Sequence, residues 1–296
     1  MILRYPFAVP DQTLLFGATS ILGYNLAISA VYRIVPFVPP HQKAIITPDS
    51  ADNNPWQVLN LEDTGWIRKQ LDRYQPDTLI YCHAVCDVAK CQANPSWAYQ
   101  INVGHVERLL DALPQSVRLI YISSDHVFSG DFASGVYNEN TPPCPISVYG
   151  QSRVDAESAI ADRDNTLIIR AGLAIGPSPQ GKTGHHDWLR YRSERDLPIT
   201  IIQDEARSVY WAQDLVHRVM QFSASRETGL VHIQAHRAVS RVELATYLMQ
   251  TWGKEPSCKL QSRTEQPTPH LGHVELATVH TGEHHEPLPP VITDTT

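Results

Sequence analysis

The sequence predicts an α/β protein built on a doubly wound parallel sheet, with a small C-terminal lobe laid over that sheet. Two observations lead to this prediction. Apolar runs of strand length alternate with amphipathic helical patterns along the first 172 of the 296 residues, as in folds whose helices connect parallel strands. The segment FGATSILG places Gly17 and Gly23 six residues apart, between the first apolar run and the first helical pattern.

The predicted strands are short apolar runs rich in β-branched and aromatic residues, which favour extended backbone. They lie at residues 13–16, 33–38, 77–84, 117–123 and 165–172. Between these runs, apolar residues recur at helical spacing and predict helices. The helices lie at residues 21–32, 66–75, 98–113 and 147–157.

The glycine turn after the first strand is of the kind that binds a dinucleotide in Rossmann-like folds. Its backbone N–H groups and the following helix N-terminus face a pyrophosphate. The pattern is G-x-x-G-x-x-G with Ser20 at the middle position, where a Cβ atom can obstruct the phosphate or the hydroxyl can donate to it. A purely structural turn is the alternative.

The end of the second predicted strand bears on the choice of cofactor. An acidic residue there binds the ribose 2′-hydroxyl of NAD, and the sequence FVPPHQK has none. His41 and Lys43 are instead placed to meet a 2′-phosphate. NADP is therefore favoured over NAD, although loop cations are commonly only solvated.

The pattern changes after the fifth predicted strand, and this change divides the chain. Residues 1–172 are the predicted NAD(P)-binding Rossmann-like domain. Residues 173–262 form mainly a small substrate lobe, interleaved with the core, with helices predicted at 187–196 and 243–252 and a short strand at 197–203. Residues 263–296, rich in His, Thr and Pro, predict an irregular tail that can be removed without unfolding the protein.

Composition excludes several classes of function. A net charge of −7 and a pI near 6.0 argue against nucleic-acid binding, and no apolar run has the roughly 18 residues that span a membrane. The five cysteines form no CxxC pair, and the N-terminus has no signal-peptide pattern, so a cytoplasmic protein with reduced thiols is expected. The histidines of the tail lack a regular ligand spacing, so no metal site is predicted.

A second group of motifs follows the fourth strand. YISSDHVFSG (121–130) ends that strand, and NENTPPCPISVYGQSR (138–153) leads into a helix. Tyr149 and Arg153 lie four residues apart and share one face of this helix. Oxidoreductases that place a tyrosine over a nicotinamide ring usually have lysine where this chain has Arg153.

Together these motifs resemble the extended short-chain dehydrogenase/reductase superfamily, and in particular the dTDP-4-dehydrorhamnose reductase family. The segments YCHAVCDVAKCQANPSWAYQINV and GLVHIQAHRAVSRVELATYL resemble further parts of that family in the same order, so the resemblance extends over most of the first 250 residues. It implies a reductase of a nucleotide-linked 4-keto sugar, in which the tyrosine protonates the forming alkoxide. It also implies a sugar nucleotide as small-molecule substrate and allows a homodimer.

The resemblance assigns roles to individual residues. Ser124, Tyr149 and Arg153 take the catalytic positions, with Tyr149 as the proton donor, and Tyr149 and Arg153 also touch the cofactor. Val88, Asp125 and Arg207 take substrate-side positions, although Arg207 is as well explained by a salt bridge to Asp204 or Glu205. The remaining cofactor positions are Gly17, Ala18, Ser20, Ile21, Leu22, Gly23, Asn60, Leu61, His83, Ala84 and Asn102.

Three departures from the family pattern leave an alternative open. Ser20 replaces a glycine, Arg153 replaces the lysine, and a late Arg-Pro pair is missing. Arginine keeps the positive charge that favours a phenolate, but its planar fork is bulkier and directs its hydrogen bonds differently from an ammonium group. The alternative is a catalytically impaired nucleotide-binding or regulatory paralogue, the role that a similar fold has as the regulatory subunit of methionine adenosyltransferase.

Overall fold

The computed structural model describes residues 12–29, 33–42 and 56–293, and the position of Lys43 lies outside these ranges. The strands are β1 (Thr13–Phe16), β2 (Ile34–Val38), β3 (Gln57–Val58), β4 (Thr78–Tyr81), β5 (Arg118–Ser124), β6 (Val136–Tyr137), β7 (Thr166–Ala171), β8 (Leu173–Ile175), β9 (Thr200–Ile202), β10 (Ala206–Trp211), β11 (Gly229–His232), β12 (Ala238–Ser240), β13 (Lys259–Gln261) and β14 (His273–Leu276). The α-helices are α1 (Ile21–Ala27), α2 (Thr64–Tyr74), α3 (Val88–Ala93), α4 (Pro95–Tyr99), α5 (His105–Ala112), α6 (Val148–Ile160), α7 (Gly184–Ser193), α8 (Ala212–Ala224) and α9 (Arg241–Thr251).

The predicted parallel α/β sheet is confirmed. Seven strands pair in the order β11-β7-β5-β4-β1-β2-β3, and every pair is parallel. The chain runs outward from β1 in one direction and then returns to build the other half from β4. The carboxyl ends of β1 and β4 therefore form a topological switch point, where folds of this kind bind their ligands.

Side chains alternate between the two faces of this sheet, and each face buries its own core. Leu15 packs under α1 and α8, whereas Leu14 and Phe16 face α2, α5 and α6. Both faces are covered, so the strands are largely apolar, as the sequence pattern indicated. None of the helices in the described ranges is long and apolar enough to cross a membrane.

A second sheet carries the lobe over the carboxyl ends of the large sheet's strands. Its strands pair in the order β12-β10-β14-β6, with β8 also paired to β10, and β9 pairs separately with β13. The lobe is interleaved with the core, because β11 returns from this part of the chain to become the outermost strand of the large sheet. The predicted elements at 187–196, 197–203 and 243–252 correspond to α7, β9 and α9.

The segment after residue 262, which the sequence predicted to be irregular, contains one packed strand at His273–Leu276 and is otherwise largely irregular. Strand β14 inserts between β10 and β6, and the side chains of Leu271, Val274 and Leu276 are buried. The backbones of Gly130 and Gly272 lie so close that a Cβ on Gly130 would be 2.5 Å from the Gly272 nitrogen. Polar and apolar residues alternate over only four positions, HVEL, so this strand was easy to overlook among polar neighbours.

The packed tail leads to a stability prediction. Replacing Leu276 by Ala removes a side chain that is 1% exposed and should lower the free energy of unfolding by about 2–5 kcal/mol. The matched control is Leu260→Ala in β13, where the side chain is 47% exposed and the change should stay within about 0.5 kcal/mol. Urea unfolding of both variants measures the difference. Equal, small losses would show that β14 contributes little to the fold.

Candidate active site

The glycine turn joins β1 to α1 at the switch point and brings two backbone segments into contact. Gly17 has φ +94°, and a Cβ atom there would lie 2.4 Å from the backbone nitrogen of His83. A Cβ on Gly23 would lie 2.3 Å from the Gly17 carbonyl oxygen. Glycine is therefore required at both positions.

Ser20 has a structural role within this turn. It is the N-cap of α1, and its hydroxyl accepts a hydrogen bond from the backbone nitrogen of Gly23 at 2.9 Å. The same hydroxyl donates to the Gly17 carbonyl oxygen at 3.3 Å. The serine at this glycine position therefore caps the helix. Its hydroxyl already forms hydrogen bonds inside the turn. The neighbouring Leu22 packs into the core, so it can reach a ligand only through its backbone.

A cavity of about 380 Å³ opens beside this turn at the carboxyl ends of β1, β2 and β4. Its walls bring together five residues that the sequence placed near the cofactor: His41, Asn60, Leu61, His83 and Ala84. The cavity is therefore formed where a dinucleotide is expected in this topology.

One wall of the cavity contains a hydrogen-bonded chain that the sequence did not predict. His105 Nε2 lies 2.8 Å from Glu62 Oε1, and His105 Nδ1 lies 3.3 Å from His83 Nε2. Burial, with a contribution from His105, lowers the pKa of His83 to about 3, so His83 is neutral at physiological pH. Because a carboxylate only accepts, His105 Nε2 donates to Glu62.

The three predicted catalytic residues lie together. Ser124 ends β5, and Tyr149 lies in the first turn of α6, whose N-cap Ser147 accepts a hydrogen bond from the Gly150 nitrogen at 3.0 Å. The hydroxyl of Ser124 lowers the pKa of the Tyr149 phenol and donates to Asp125 Oδ1 at 3.3 Å. Tyr149 also packs in one apolar cluster with Val85, a residue of the cavity wall, so this pair adjoins the cavity.

The surroundings of Tyr149 control its proton. Burial raises the pKa of the phenol, while the positive charge of Arg153 and the influence of the Ser124 hydroxyl lower it in part. The ring of His126, which stands where the resembling family has tyrosine, meets Tyr149 edge-on at 5.2 Å between centroids. Burial, with the charge of Arg207, lowers the pKa of His126 to about 4. At neutral pH the phenol therefore keeps its proton, and His126 beside it is uncharged.

Arg153 is buried beneath the catalytic pair. Its side chain lies over the ring of Tyr121, 4.7 Å from the centroid, and its Nη2 donates to the carbonyl oxygen of Ile122. Its Nε and Nη1 are buried and have no hydrogen-bond partner within the described residues. Because unpaired buried donors are costly, these two atoms mark a place for an external acceptor such as a cofactor hydroxyl.

Helix α6 is fixed to the sheet by a buried ion pair that the sequence analysis missed. Glu157 accepts from Arg170 of β7, at 3.0 Å from Nε and 2.6 Å from Nη2, and also from the hydroxyl of Ser123 in β5. The available signal was spacing, since Glu157 follows Arg153 by four residues and therefore shares its helix face.

Asn102 is hydrogen-bonded to helix α6 and does not line the cavity. It lies in a π-helical turn at Gln100–Gly104, and its Oδ1 accepts from the Val85 nitrogen at 2.8 Å. Its Nδ2 donates to the Ser152 hydroxyl at 2.9 Å, which in turn donates to the Tyr149 carbonyl oxygen at 2.7 Å. The residue predicted to touch the cofactor therefore positions the backbone of Tyr149.

The three predicted substrate-side residues have different surroundings. Val88, at the start of α3, packs beside Tyr149. Asp125 and Arg207 are both buried and paired with each other, with Arg207 Nε 2.7 Å from Asp125 Oδ2. Glu205 lies 3.8 Å from Arg207 Nη1, so the salt-bridge interpretation of Arg207 holds, with Asp125 as its main partner.

The Arg207 pair extends into a charge network across the lobe. Glu205 accepts from Arg241 of α9 at 2.9 Å and lies 3.1 Å from the ring of His270 in the tail. Burial raises the pKa of the Glu205 carboxyl, but the charge of Arg241 and the contact with His270 outweigh it and hold that pKa well below its usual range. The network joins β10, α9 and the tail.

The ion pair of Glu157 provides a test of how α6 is held. Glu157→Gln leaves Arg170 buried without its anion and should lower the free energy of unfolding by about 3–5 kcal/mol. The control is Glu194→Gln, which breaks an exposed pair with Arg190 at 2.8 Å and should cost within about 0.5 kcal/mol. Chemical unfolding of the two variants measures the difference. A loss as small for Glu157 as for Glu194 would contradict the anchoring role.

Comparison with known proteins agrees with this architecture. The chain is 24% identical over 249 residues to a dTDP-4-keto-6-deoxy-D-glucose reductase of Streptomyces niveus, covering 83% of this chain and 80% of the relative. It is 29% identical over 167 residues to the methionine adenosyltransferase 2 subunit beta of Rattus norvegicus, covering 56% of this chain and only 47% of that relative.

Solved structures show the same fold. The crystal structure of dTDP-4-dehydrorhamnose reductase from Bacillus anthracis, in complex with NADP, superposes with a TM-score of 0.76 at 20% identity and covers 92% of this chain and 90% of that one. The family model described as the RmlD substrate binding domain matches residues 11–273. Because this match includes the glycine turn, the catalytic helix and most of the lobe, the chain belongs to the RmlD substrate binding domain family.

Proposed function

We propose that the chain is an NAD(P)-dependent reductase of a nucleotide-linked 4-keto sugar or a related carbonyl compound. The observation that carries this proposal is the buried Ser124–Tyr149 pair with the guanidinium of Arg153 beneath it, next to a cavity at the switch point. A phenol beside a hydroxyl and a permanent cation is an arrangement for donating a proton to a carbonyl oxygen.

The residues present fit a nicotinamide dinucleotide. The glycine turn would hold the pyrophosphate, since any side chain at Gly17 or Gly23 would fill it. The unpaired Nε and Nη1 of Arg153 would meet the ribose next to the reacting ring. When bound, the cofactor supplies the hydride. His41 follows the end of β2 in the cavity wall, and residues 39–42 contain no acid, which supports NADP over NAD. The acid elsewhere in the wall, Glu62, is hydrogen-bonded to His105.

The protein's own groups handle the proton. Tyr149 is protonated at neutral pH because burial raises its pKa, so it can donate to the carbonyl oxygen as negative charge develops there. Ser124 orients the phenol. Arg153 stabilises the phenolate that remains, and a guanidinium does this without losing its own proton. The arginine thus keeps the electrostatic part of the lysine's role.

The substrate class is supported by the relatives, which act by name on dTDP-linked keto sugars. Arg207 is not the phosphate ligand in this proposal, because its guanidinium is buried against Asp125. Val88 lies beside Tyr149 and would contact the sugar. The five free cysteines and the use of a reduced nicotinamide support a cytoplasmic location.

Variants of the catalytic pair separate a reductase from a nucleotide-binding regulator. Tyr149→Phe should lower kcat by about 100-fold to 10,000-fold, since the proton donor is lost, while NADPH affinity stays nearly unchanged. Arg153→Lys should retain or raise turnover, and Arg153→Met should lose it because the cation is gone. Steady-state rates with NADPH and dTDP-4-keto-6-deoxy-D-glucose measure these effects. Normal turnover in Tyr149→Phe would refute the proton-transfer role, and a silent wild type that binds NADPH would indicate the regulator.

The serine of the turn offers a second test. Ser20→Gly should tighten NADPH binding, because it removes the Cβ atom from the turn, and should cost only a few tenths of a kcal/mol of stability as an N-cap change. Ser20→Ala keeps the Cβ and should cost about 1 kcal/mol without tightening binding. Calorimetric titration with NADPH and thermal melts compare the two variants. No binding of either NADPH or NADH to wild type and Ser20→Gly would eliminate the proposed cofactor site.

A further inference from the structure

A cluster of potential metal ligands lies where the tail returns to the large sheet. His280 and His285 come from the tail, and Glu227 comes from the loop that precedes β11. One ligand atom from each of the three residues lies within 4.8 Å of the other two. This cluster is at the amino-terminal end of β11, whereas the glycine turn and Ser124 follow the carboxyl ends of β1 and β5. It is therefore separate from the candidate active site.

The three side chains already contact one another. His285 Nε2 lies 2.9 Å from Glu227 Oε1, and the side chain of His285 is only 6% exposed. The rings of His280 and His285 are stacked, with centroids 5.0 Å apart. Two imidazoles and a carboxylate from distant parts of the chain therefore converge on one small volume.

Hydrogen bonds to the backbone orient these groups. His280 Nε2 lies 3.0 Å from the carbonyl oxygen of Leu230 and donates to it, so Nδ1 is the nitrogen that keeps its lone pair. Metal-binding histidines commonly donate their second ring nitrogen to such a carbonyl. Arg118 donates to the Glu227 carbonyl oxygen, and Arg218 Nη1 donates to the carbonyl oxygens of His284 at 2.8 Å and Glu286 at 2.7 Å. The backbone on both sides of the cluster is thus held in place.

We propose that Glu227, His280 and His285 form a binding site for a divalent transition metal of the zinc class. Two imidazoles and one carboxylate are a ligand set that zinc accepts, whereas calcium and magnesium prefer oxygen ligands alone. Tetrahedral bonds of about 2.0–2.2 Å require ligand atoms roughly 3.3 Å apart, so modest side-chain movement closes the cluster around an ion. Water completes the coordination.

The bound metal would tie the tail to the outermost strand of the large sheet. The histidine spacing alone predicts no site, because the third ligand, Glu227, precedes His280 by more than 50 residues and reaches it only through the fold. Metal binding is independent of the proposed reductase activity, since none of its ligands contacts the cavity or Tyr149 in the described chain.

The test uses the full-length, untagged protein after removal of metal with a chelator. Calorimetric titration with zinc chloride should show saturable binding of one ion per chain, and zinc should raise the melting temperature. Glu227→Gln, His280→Asn and His285→Asn should each weaken binding by at least about tenfold. Cobalt(II) in place of zinc should give the visible absorption of a tetrahedral site.

A matched control is His273→Asn, which removes a tail histidine whose side chain is 49% exposed and which lies outside the cluster. It should leave zinc affinity unchanged. If buried His285 cannot be replaced without unfolding, then Glu227→Gln and His280→Asn decide the question, with metal-free melts confirming that they fold. The proposal is overturned if wild type shows no saturable zinc binding, or if binding survives in the folded ligand variants. Equal weakening by His273→Asn would also overturn it.

Discussion

The buried ion pair between Glu157 and Arg170 is the interaction on which the candidate active site depends. It joins α6 to β7, and the hydroxyl of Ser123 extends the contact to β5, the strand that ends at Ser124. Because a buried charge without its partner is strongly destabilising, this pair permits one register of the helix against the sheet. That register places Tyr149 beside Ser124. The hydrogen bonds from Asn102 to Ser152 and from Ser152 to the Tyr149 carbonyl oxygen hold the same helix independently.

The replacement of lysine by Arg153 is consistent with this rigid frame. A guanidinium has several donors in a fixed plane, and here the plane lies on the ring of Tyr121 with one nitrogen donating to a strand carbonyl. The ion remains charged in spite of burial, so the catalytic phenol keeps a cation nearby. Two of its nitrogens remain without a partner in the described chain, and a bound ribose would satisfy them.

The sequence predicted the large sheet and its helices because these depend on local periodicity, whereas the grouping of Ser124, Tyr149 and Arg153 was implied by the resemblance of their motifs to a known family. It did not predict β14, whose apolar alternation is too short to stand out. The hydrogen bonds that connect Glu62, His105 and His83 were also missed, because these three residues meet only when two strands and a helix pack together. The pairing of Asp125 with Arg207 likewise joins residues 82 positions apart. Long-range polar contacts of this kind leave no periodic signal in one sequence.

The central claim is that Tyr149, Ser124 and Arg153 act with a nicotinamide cofactor to reduce a sugar carbonyl. A single-turnover experiment tests it most directly. The protein is mixed with NADPH deuterated at the transferable position and with dTDP-4-keto-6-deoxy-D-glucose, and the product is examined by mass spectrometry and NMR. The account predicts one deuterium on the former carbonyl carbon for each cofactor oxidised. Bound cofactor that is never consumed, with the keto sugar recovered unchanged, would contradict it.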